Sequence, residues 1–293
     1  MIISASYRTD IPAFYGDWFQ SRLDAGFCRT VNPYGRQIHT VRLDADAVSG
    51  FVFWTKNLGP FRPVLDDVRG RGFPFVVQYT INGYPRALET SVTAAGRAID
   101  HMRALAREFG PRAGVWRYDP VVGTALTPPD WHVGNFTRLA DKLAGATDEV
   151  VISFAHVYRK TRLNMDAASR FHGFSWDDPP DDDKRALAAR LATIAAERGI
   201  GLTVCSQEAY LVPGAAAARC IDADRLSDVA GRAVTARRKG NRPGCMCAES
   251  RDIGDYDTCP HGCVYCYAVR TRALARRRHG AHDPNSPFLS PPA

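Results

Sequence analysis

The sequence contains no apolar run near the roughly 20 residues that a bilayer span requires. Its first residues, MIISASYRTD, lack a basic segment leading into an apolar core, so no signal peptide is expected and the expected setting is the cytoplasm, with no membrane partner. No internal repeat is present, and no glycine-rich phosphate loop follows the first strand-like run, which argues against a dinucleotide-binding fold. A cytoplasmic chain also has little use for a disulfide framework, so its eight cysteines point to metal binding or redox chemistry instead.

What is there is ordinary for a globular protein. The chain has 293 residues, 45% hydrophobic and 24% charged. Apolar runs at 2–6 (IISAS), 50–56 (GFVFWTK), 74–81 (PFVVQYTI), 113–119 (AGVWRYD), 149–156 (EVVISFAH) and 200–206 (IGLTVCS) read as strands buried on both faces. Between them lie helical patterns, at 12–26, at 92–109 with Gly110 as its stop, at 128–144, and at 181–199 with acids at its start. The alternation predicts an α/β fold with a parallel sheet, a partial (βα)6 TIM-like barrel over residues 1–210. From 211 the periodicity ends. Residues 211–272 are expected to be an irregular, cysteine-rich iron–sulfur segment packed on the barrel mouth, and 273–293 a basic, flexible tail.

Polar residues gather where the strands end: Arg8 and Asp10, Lys56 and Asn57, Gln78 and Asn82, Arg117 and Asp119, His156 and Tyr158, Cys205 and Glu208. In α/β folds the carboxyl ends of the strands form the ligand-binding mouth.

Cys259, Cys263 and Cys266 stand in a C-x3-C-x2-C array. Zinc sites pair C-x2-C knuckles and want four ligands. Three close cysteines without a fourth suit a [4Fe–4S] cubane with one iron left open. Of the other cysteines, Cys28 is expected to be a small buried hydrophobe. Cys205, Cys220, Cys245 and Cys247 make a set for a second metal centre, either a second [4Fe–4S] cluster or zinc.

The stretch CPHGCVYC resembles the C-x3-C-x-aromatic-C signature of the radical S-adenosylmethionine (SAM) enzymes. The longer match, through SASYRTDIPAFY, FWTKN, WRYDP, CID and DIGDYDTCPHGCVYCYA, is to a bacterial group catalogued as domain of unknown function 1848. That group looks related to the spore photoproduct lyase type of radical SAM protein. The resemblance implies a partial barrel with a cluster at its mouth, SAM as cofactor, an external electron donor, and a 5′-deoxyadenosyl radical that abstracts hydrogen from an unknown substrate. Arg8, Asp10, Lys56, Arg117 and Asp119 would orient an anionic substrate or the SAM carboxylate, and Tyr79, Tyr118 and Tyr158 are candidate radical relays. Two departures stand out. The motif follows strand six where the family places it after strand one, and no Gly-Gly-Glu follows strand two, so the SAM contacts cannot be assigned by motif.

The net charge of +7 is concentrated in TARRKGNR (235–242) and RTRALARRRHG (270–280), which flank the cysteine segment. Such stretches can grip phosphates. The alternative reading is therefore a zinc- or cluster-stabilised nucleic-acid-binding protein without SAM chemistry. A radical enzyme acting on nucleic acid combines the two.

Overall fold

A computed structural model describes residues 1–291; the last two residues of the expected tail lie outside the described residues. Its strands are β1 (Ile2–Ala5), β2 (Phe27–Val31), β3 (Ile38–Arg42), β4 (Gly50–Thr55), β5 (Phe75–Thr80), β6 (Gly114–Val121), β7 (Glu149–Phe154), β8 (Gly201–Val204), β9 (Ala215–Ala217) and β10 (Ser250–Asp252). Its α-helices are α1 (Ile11–Phe14), α2 (Gly16–Ala25), α3 (Arg62–Gly70), α4 (Ala95–Phe109), α5 (Pro129–Leu143), α6 (Arg159–His172), α7 (Asp181–Ala196), α8 (Ala223–Ala230) and α9 (Arg272–Gly280).

Eight strands form one sheet in the order β10-β1-β4-β5-β6-β7-β8-β9, and every pair in it is parallel. The fold is α/β, as expected. From β1 to β8 the chain always adds the next strand on the same side, so right-handed crossovers deliver their helices to one face. The sheet has two strands more than expected and is open among the described residues, with β9 and β10 as its edges.

The two-residue period of the strands sorts the core. Ile3, Phe51, Phe53, Phe75, Val77, Trp116, Tyr118, Val150 and Ile152 belong to the large core with the helix residues Phe19, Leu65, Met102, Phe136 and Leu191. Their neighbours in sequence, Ile2, Val52, Val76, Val115 and Val151, belong to a second, smaller core with Ala218, Ile221, Leu226, Val234 and Ala248. Alternate residues point to opposite faces, so helices cover one face and the chain after β8 covers the other.

The helices form for the expected reasons. Helix α4 buries Ile99, Met102 and Leu105 and ends at Gly110, whose φ of +87° suits glycine. Helix α7 places Asp181, Asp182 and Asp183 in its first turn, where carboxylates meet the positive end of the helix dipole. The expected helix over 12–26 is instead two, α1 and α2, broken at Tyr15, with Asp10 capping α1 by accepting from the Ala13 N–H. The β2–β3 hairpin and α6 were not legible. The hairpin strands bury only Cys28 and Val41, and α6 buries only Thr161, Met165 and Ala168.

The tail expected to be loose is packed over its described part. Trp18 Nε1 donates to the Ser286 carbonyl at 2.9 Å, Arg22 donates to the Asn285 carbonyl at 2.9 Å, and Leu289 is buried in the large core.

Candidate metal centre and its cavity

The carboxyl ends of the strands open into one cavity of about 1060 Å³. Arg8 and Asp10 follow β1, Lys56 follows β4, Arg117 and Asp119 lie within β6, and Tyr158 follows β7; all of them line it. So do the triad Cys259, Cys263 and Cys266 and the remaining set Cys205, Cys220, Cys245 and Cys247. The β6–β7 register shifts between Tyr118 and Val121, which takes Asp119 out of the ladder; like Arg117 two residues before it, Asp119 faces the cavity.

The triad reaches this place because β10 pairs with β1 just before it. Asp252, the last residue of β10, accepts from Ser4 Oγ (2.9 Å), Ser6 Oγ (2.7 Å), the Tyr7 N–H (3.1 Å) and the Gly254 N–H (3.0 Å). Burial raises its carboxyl's pKa, opposed by Arg8 and these donors. In sheet order, then, the cysteine loop follows the strand ahead of β1, although in chain order it comes after β8.

Neighbouring loops pin it there. Tyr15 Oη donates to the Thr258 carbonyl at 2.7 Å, and His261 Nε2 meets Asp10 Oδ2 at 2.7 Å. The Ser91 N–H donates to the His261 carbonyl (2.9 Å) and the Val264 N–H to the Leu88 carbonyl (3.1 Å), so residues 88–91 run as a short antiparallel partner with Glu89 opposite Cys263. Gly262 sits between them at φ +77°, a conformation that side chains rarely adopt.

A buried polar network lies beside the triad. Lys56 Nζ donates to Glu89 Oε1 at 2.8 Å and meets Tyr265 Oη at 3.1 Å. Tyr265 Oη donates to Glu89, and Asn82 Nδ2 donates to Tyr265 Oη at 3.1 Å. Burial is the largest single influence and works against the Lys56 charge, but Glu89, Cys263 and Asp119 together outweigh it and the ammonium's pKa is raised. Burial, then Glu89, pushes the Tyr265 phenol well above its ordinary value. Burial also raises all three thiols, Cys263 to about 12 even though Lys56 lowers it.

Burial disfavours the ionised form of all three thiols, and Lys56, the nearest cation, lowers Cys263 and Cys266. His261, the one imidazole inside the loop, is engaged by Asp10, which leaves a three-sulfur donor set. Among the described residues, no three His, Cys, Asp or Glu side chains are grouped to hold a metal ion.

Across the cavity, Cys220 Sγ lies 3.6 Å from Cys205 Sγ. The Ile221 N–H donates to Cys247 Sγ at 3.4 Å. Arg117 Nη1 donates to Cys220 Sγ at 3.1 Å and to Gln78 Oε1 at 3.1 Å, and its other side pairs with Asp119 at 2.5 Å. Arg242 Nη2 donates to Cys205 Sγ at 3.4 Å.

Some expected residues are elsewhere. Tyr79 and Tyr118 are fully buried in the helix-side core, with their hydroxyls on His101 and His132, and do not line the cavity. They are packing residues, because odd positions of β5 and even positions of β6 face the helices. Glu208 lies in a short 3-10 turn outside the cavity lining. Cys28 is buried in the core, as expected. Of the basic stretches, Arg242 and Arg278 line the cavity, whereas Arg237 and Lys239 pair with Glu249, and Arg270 pairs with Asp257. Glu89, Asp252 and His261 escaped sequence reasoning: each is a single polar residue whose partner is distant in the chain.

A family model described as Domain of unknown function (DUF1848) matches residues 2–268. No curated protein matches the chain. Among solved structures it is similar to dihydropyrimidinase from Brevibacillus agri NCHU1002, with 12% identity and a TM-score of 0.34 over 78% of this chain and 43% of that one. It is also similar to a D-hydantoinase, with 10% identity and a TM-score of 0.31 over 69% of this chain and 40% of that one. The chain therefore spans less than half the length of either. No helix among the described residues is long and apolar enough to cross a membrane.

Proposed function

The chain belongs to the family described as domain of unknown function DUF1848, and on that footing we propose that it is a radical SAM-type iron–sulfur enzyme. In this reading the open parallel sheet serves as a partial barrel, and Cys259, Cys263 and Cys266 hold a [4Fe–4S] cluster at its mouth. With SAM and one electron from an external donor, that group supplies methionine and a 5′-deoxyadenosyl radical for hydrogen abstraction from a substrate.

The observation that carries the reading is the three-thiol loop opening into the cavity at the strand ends, its histidine held by Asp10. The order of the sheet supports the reading, because the cysteine loop follows a strand that stands ahead of β1.

The chain's own residues have distinct tasks. Cys259, Cys263 and Cys266 bind. Lys56 offsets thiolate charge and is itself held by Glu89 and Tyr265. Arg8, whose guanidinium lies over the Tyr7 and Tyr256 rings, and Arg278 present cations to the cavity for the carboxylate or phosphate of a bound molecule. Arg117 is committed to Asp119 and Cys220 and acts on the opposite wall. Tyr158, half exposed on the cavity, remains the one candidate relay of the expected three.

The test is anaerobic reconstitution with iron and sulfide, followed by SAM and dithionite, with 5′-deoxyadenosine measured by mass spectrometry. Wild type should form it, and the Cys259→Ala, Cys263→Ala, Cys266→Ala variant should not. Equal amounts from both would reject the reading.

A further inference from the structure

The far wall of the cavity carries a cation that has no task in the chemistry proposed for the triad. Arg8 follows β1, and Arg242 stands against Cys205, which follows β8. Four strands separate β1 from β8 in the sheet, so the two arginines mark the two ends of the mouth. Arg242 is exposed and lines the cavity. Among the described residues it has no ion pair, and its one hydrogen bond runs from Nη2 to Cys205 Sγ at 3.4 Å. A thiol is a weak acceptor, so the rest of the guanidinium's donors stay open. Asp119, on the same wall, does not take them: it pairs with Arg117 at 2.5 Å and accepts from Ser153 Oγ.

A second donor lies on the same wall. Gln207 is held by both backbone groups of Phe154: the Phe154 N–H donates to Oε1 at 2.8 Å, and Nε2 donates to the Phe154 carbonyl at 3.0 Å. That fixes which end of the amide donates, so at 3.3 Å Gln207 Nε2 donates to His156 Nε2. The imidazole's pKa is lowered by partial burial and then by Arg242, which favours the neutral ring. A neutral ring that accepts at Nε2 keeps its proton on Nδ1. That N–H has no partner among the described residues, and His156 lines the cavity. Ser206 lines this wall too, held at φ +54°, a conformation uncommon for a residue with a side chain and one that gathers at ligand-binding loops.

We infer that Arg242 and His156 form an anion-binding subsite on this wall, which takes a carboxylate or phosphate group of the substrate. A guanidinium offers two parallel N–H bonds to the oxygens of such a group, and His156 adds its Nδ1–H. The donor set selects the ligand class: N–H groups and one positive charge, with Asp119 already neutralised by Arg117, favour an anion over a cation or a neutral group. The inference depends on the radical SAM reading at one point only, that the anion belongs to the substrate. Arg8 and Arg278 share a corner at Tyr256 and would serve SAM at one end of the mouth, which leaves Arg242 for the substrate at the other. The subsite itself does not need that reading.

The test uses full-length protein before reconstitution, without SAM. Phenylglyoxal, which modifies arginine, is applied in chloride, acetate or phosphate at equal ionic strength, and the modified residues are located by peptide mass spectrometry. Modification of Arg242 should fall along a saturating curve in phosphate or acetate, about tenfold at ten times the midpoint concentration, with no such curve in chloride. The anion with the lower midpoint tells a phosphorylated substrate from a carboxylic acid. Arg237, paired with Glu249 on the surface, should respond alike to all three salts and serves as the control. His156→Ala should raise the Arg242 midpoint about tenfold, the worth of one hydrogen bond to a charged group; an unchanged midpoint would overturn the part given to His156. Equal modification of Arg242 in all three salts would overturn the subsite. Should phenylglyoxal fail to reach Arg242, calorimetric titration with phosphate decides: Arg242→Gln should lose a binding event that wild type shows, and identical isotherms would overturn the proposal. Protection of Arg242 in a protein that forms no 5′-deoxyadenosine would leave the subsite standing and reject the radical reading; 5′-deoxyadenosine without protection would do the reverse.

Discussion

The two faces of the sheet are built by different means. The helix side is an apolar core in which Phe19, Phe51, Phe53, Phe61 and Phe75 pack edge to face, with ring centroids 4.9–6.0 Å apart. The other side carries a thinner apolar layer, and toward the strand ends this gives way to cysteines, buried charges and loops without periodicity. The first face is held by area removed from water, which many sequences supply. The second is held by pairings between residues far apart in the chain, such as Asp10 with His261 and Lys56 with Glu89.

The largest effect on folding should come from the helix side. Trp116 is fully buried, stacks on Phe136 with centroids 4.7 Å apart, and donates to the Ile81 carbonyl. Trp116→Ala should cost about 3–5 kcal/mol in denaturant unfolding of the metal-free protein. A loss under 1 kcal/mol would show that this face is not the main core.

On the cavity side, Lys56→Met leaves Glu89 buried without its cation, and a broken buried pair costs about 3–5 kcal/mol at most. Because Tyr265 and Asn82 still donate to Glu89, the loss should fall near the lower end. Adding Glu89→Gln should recover about half of it, which a double-mutant cycle would reveal. Additive losses would mean the two residues do not act as a pair.

Asp10→Ala removes the cap of α1 and the partner of His261 together. It also removes the acceptor of the Lys56 N–H, 2.7 Å away; each of the three is worth about 1 kcal/mol, so a loss of about 3 kcal/mol is expected in the same unfolding assay. Since the change also frees His261 beside the triad, iron content should fall more than stability alone explains. Unchanged iron with the full stability loss would confine Asp10 to a structural role.

The smallest effect belongs to the hairpin. Tyr34 is 91% exposed at its tip although the hairpin borders the cavity. Tyr34→Ala should change stability by under about 0.5 kcal/mol. A larger loss would mean that the hairpin tip takes part in packing.

The same contrast explains what the sequence disclosed. Strands such as FVVQYT and EVVISF announce themselves, because burial on both faces demands continuous apolar runs. Edge strands AAA and SRD carry no such mark. The cavity wall was legible wherever polar residues ended a strand, as at Arg8, Lys56 and Asp119. Glu89 was not, since it follows no strand and its partners Lys56 and Tyr265 lie 33 and 176 residues away. The late position of the cysteine motif looked like a departure because chain order and sheet order differ. Only the pairing of β10 with β1 shows where that loop belongs.

The central claim is that the triad holds a cluster with an iron open to SAM. The most direct measurement is the low-temperature electron paramagnetic resonance spectrum of reduced, reconstituted protein carrying Cys205→Ala, Cys220→Ala, Cys245→Ala and Cys247→Ala, recorded with and without SAM. The account expects one [4Fe–4S]⁺ signal whose g-values shift when SAM is added. A signal that SAM leaves unchanged, or no cluster signal in a folded variant, would contradict it.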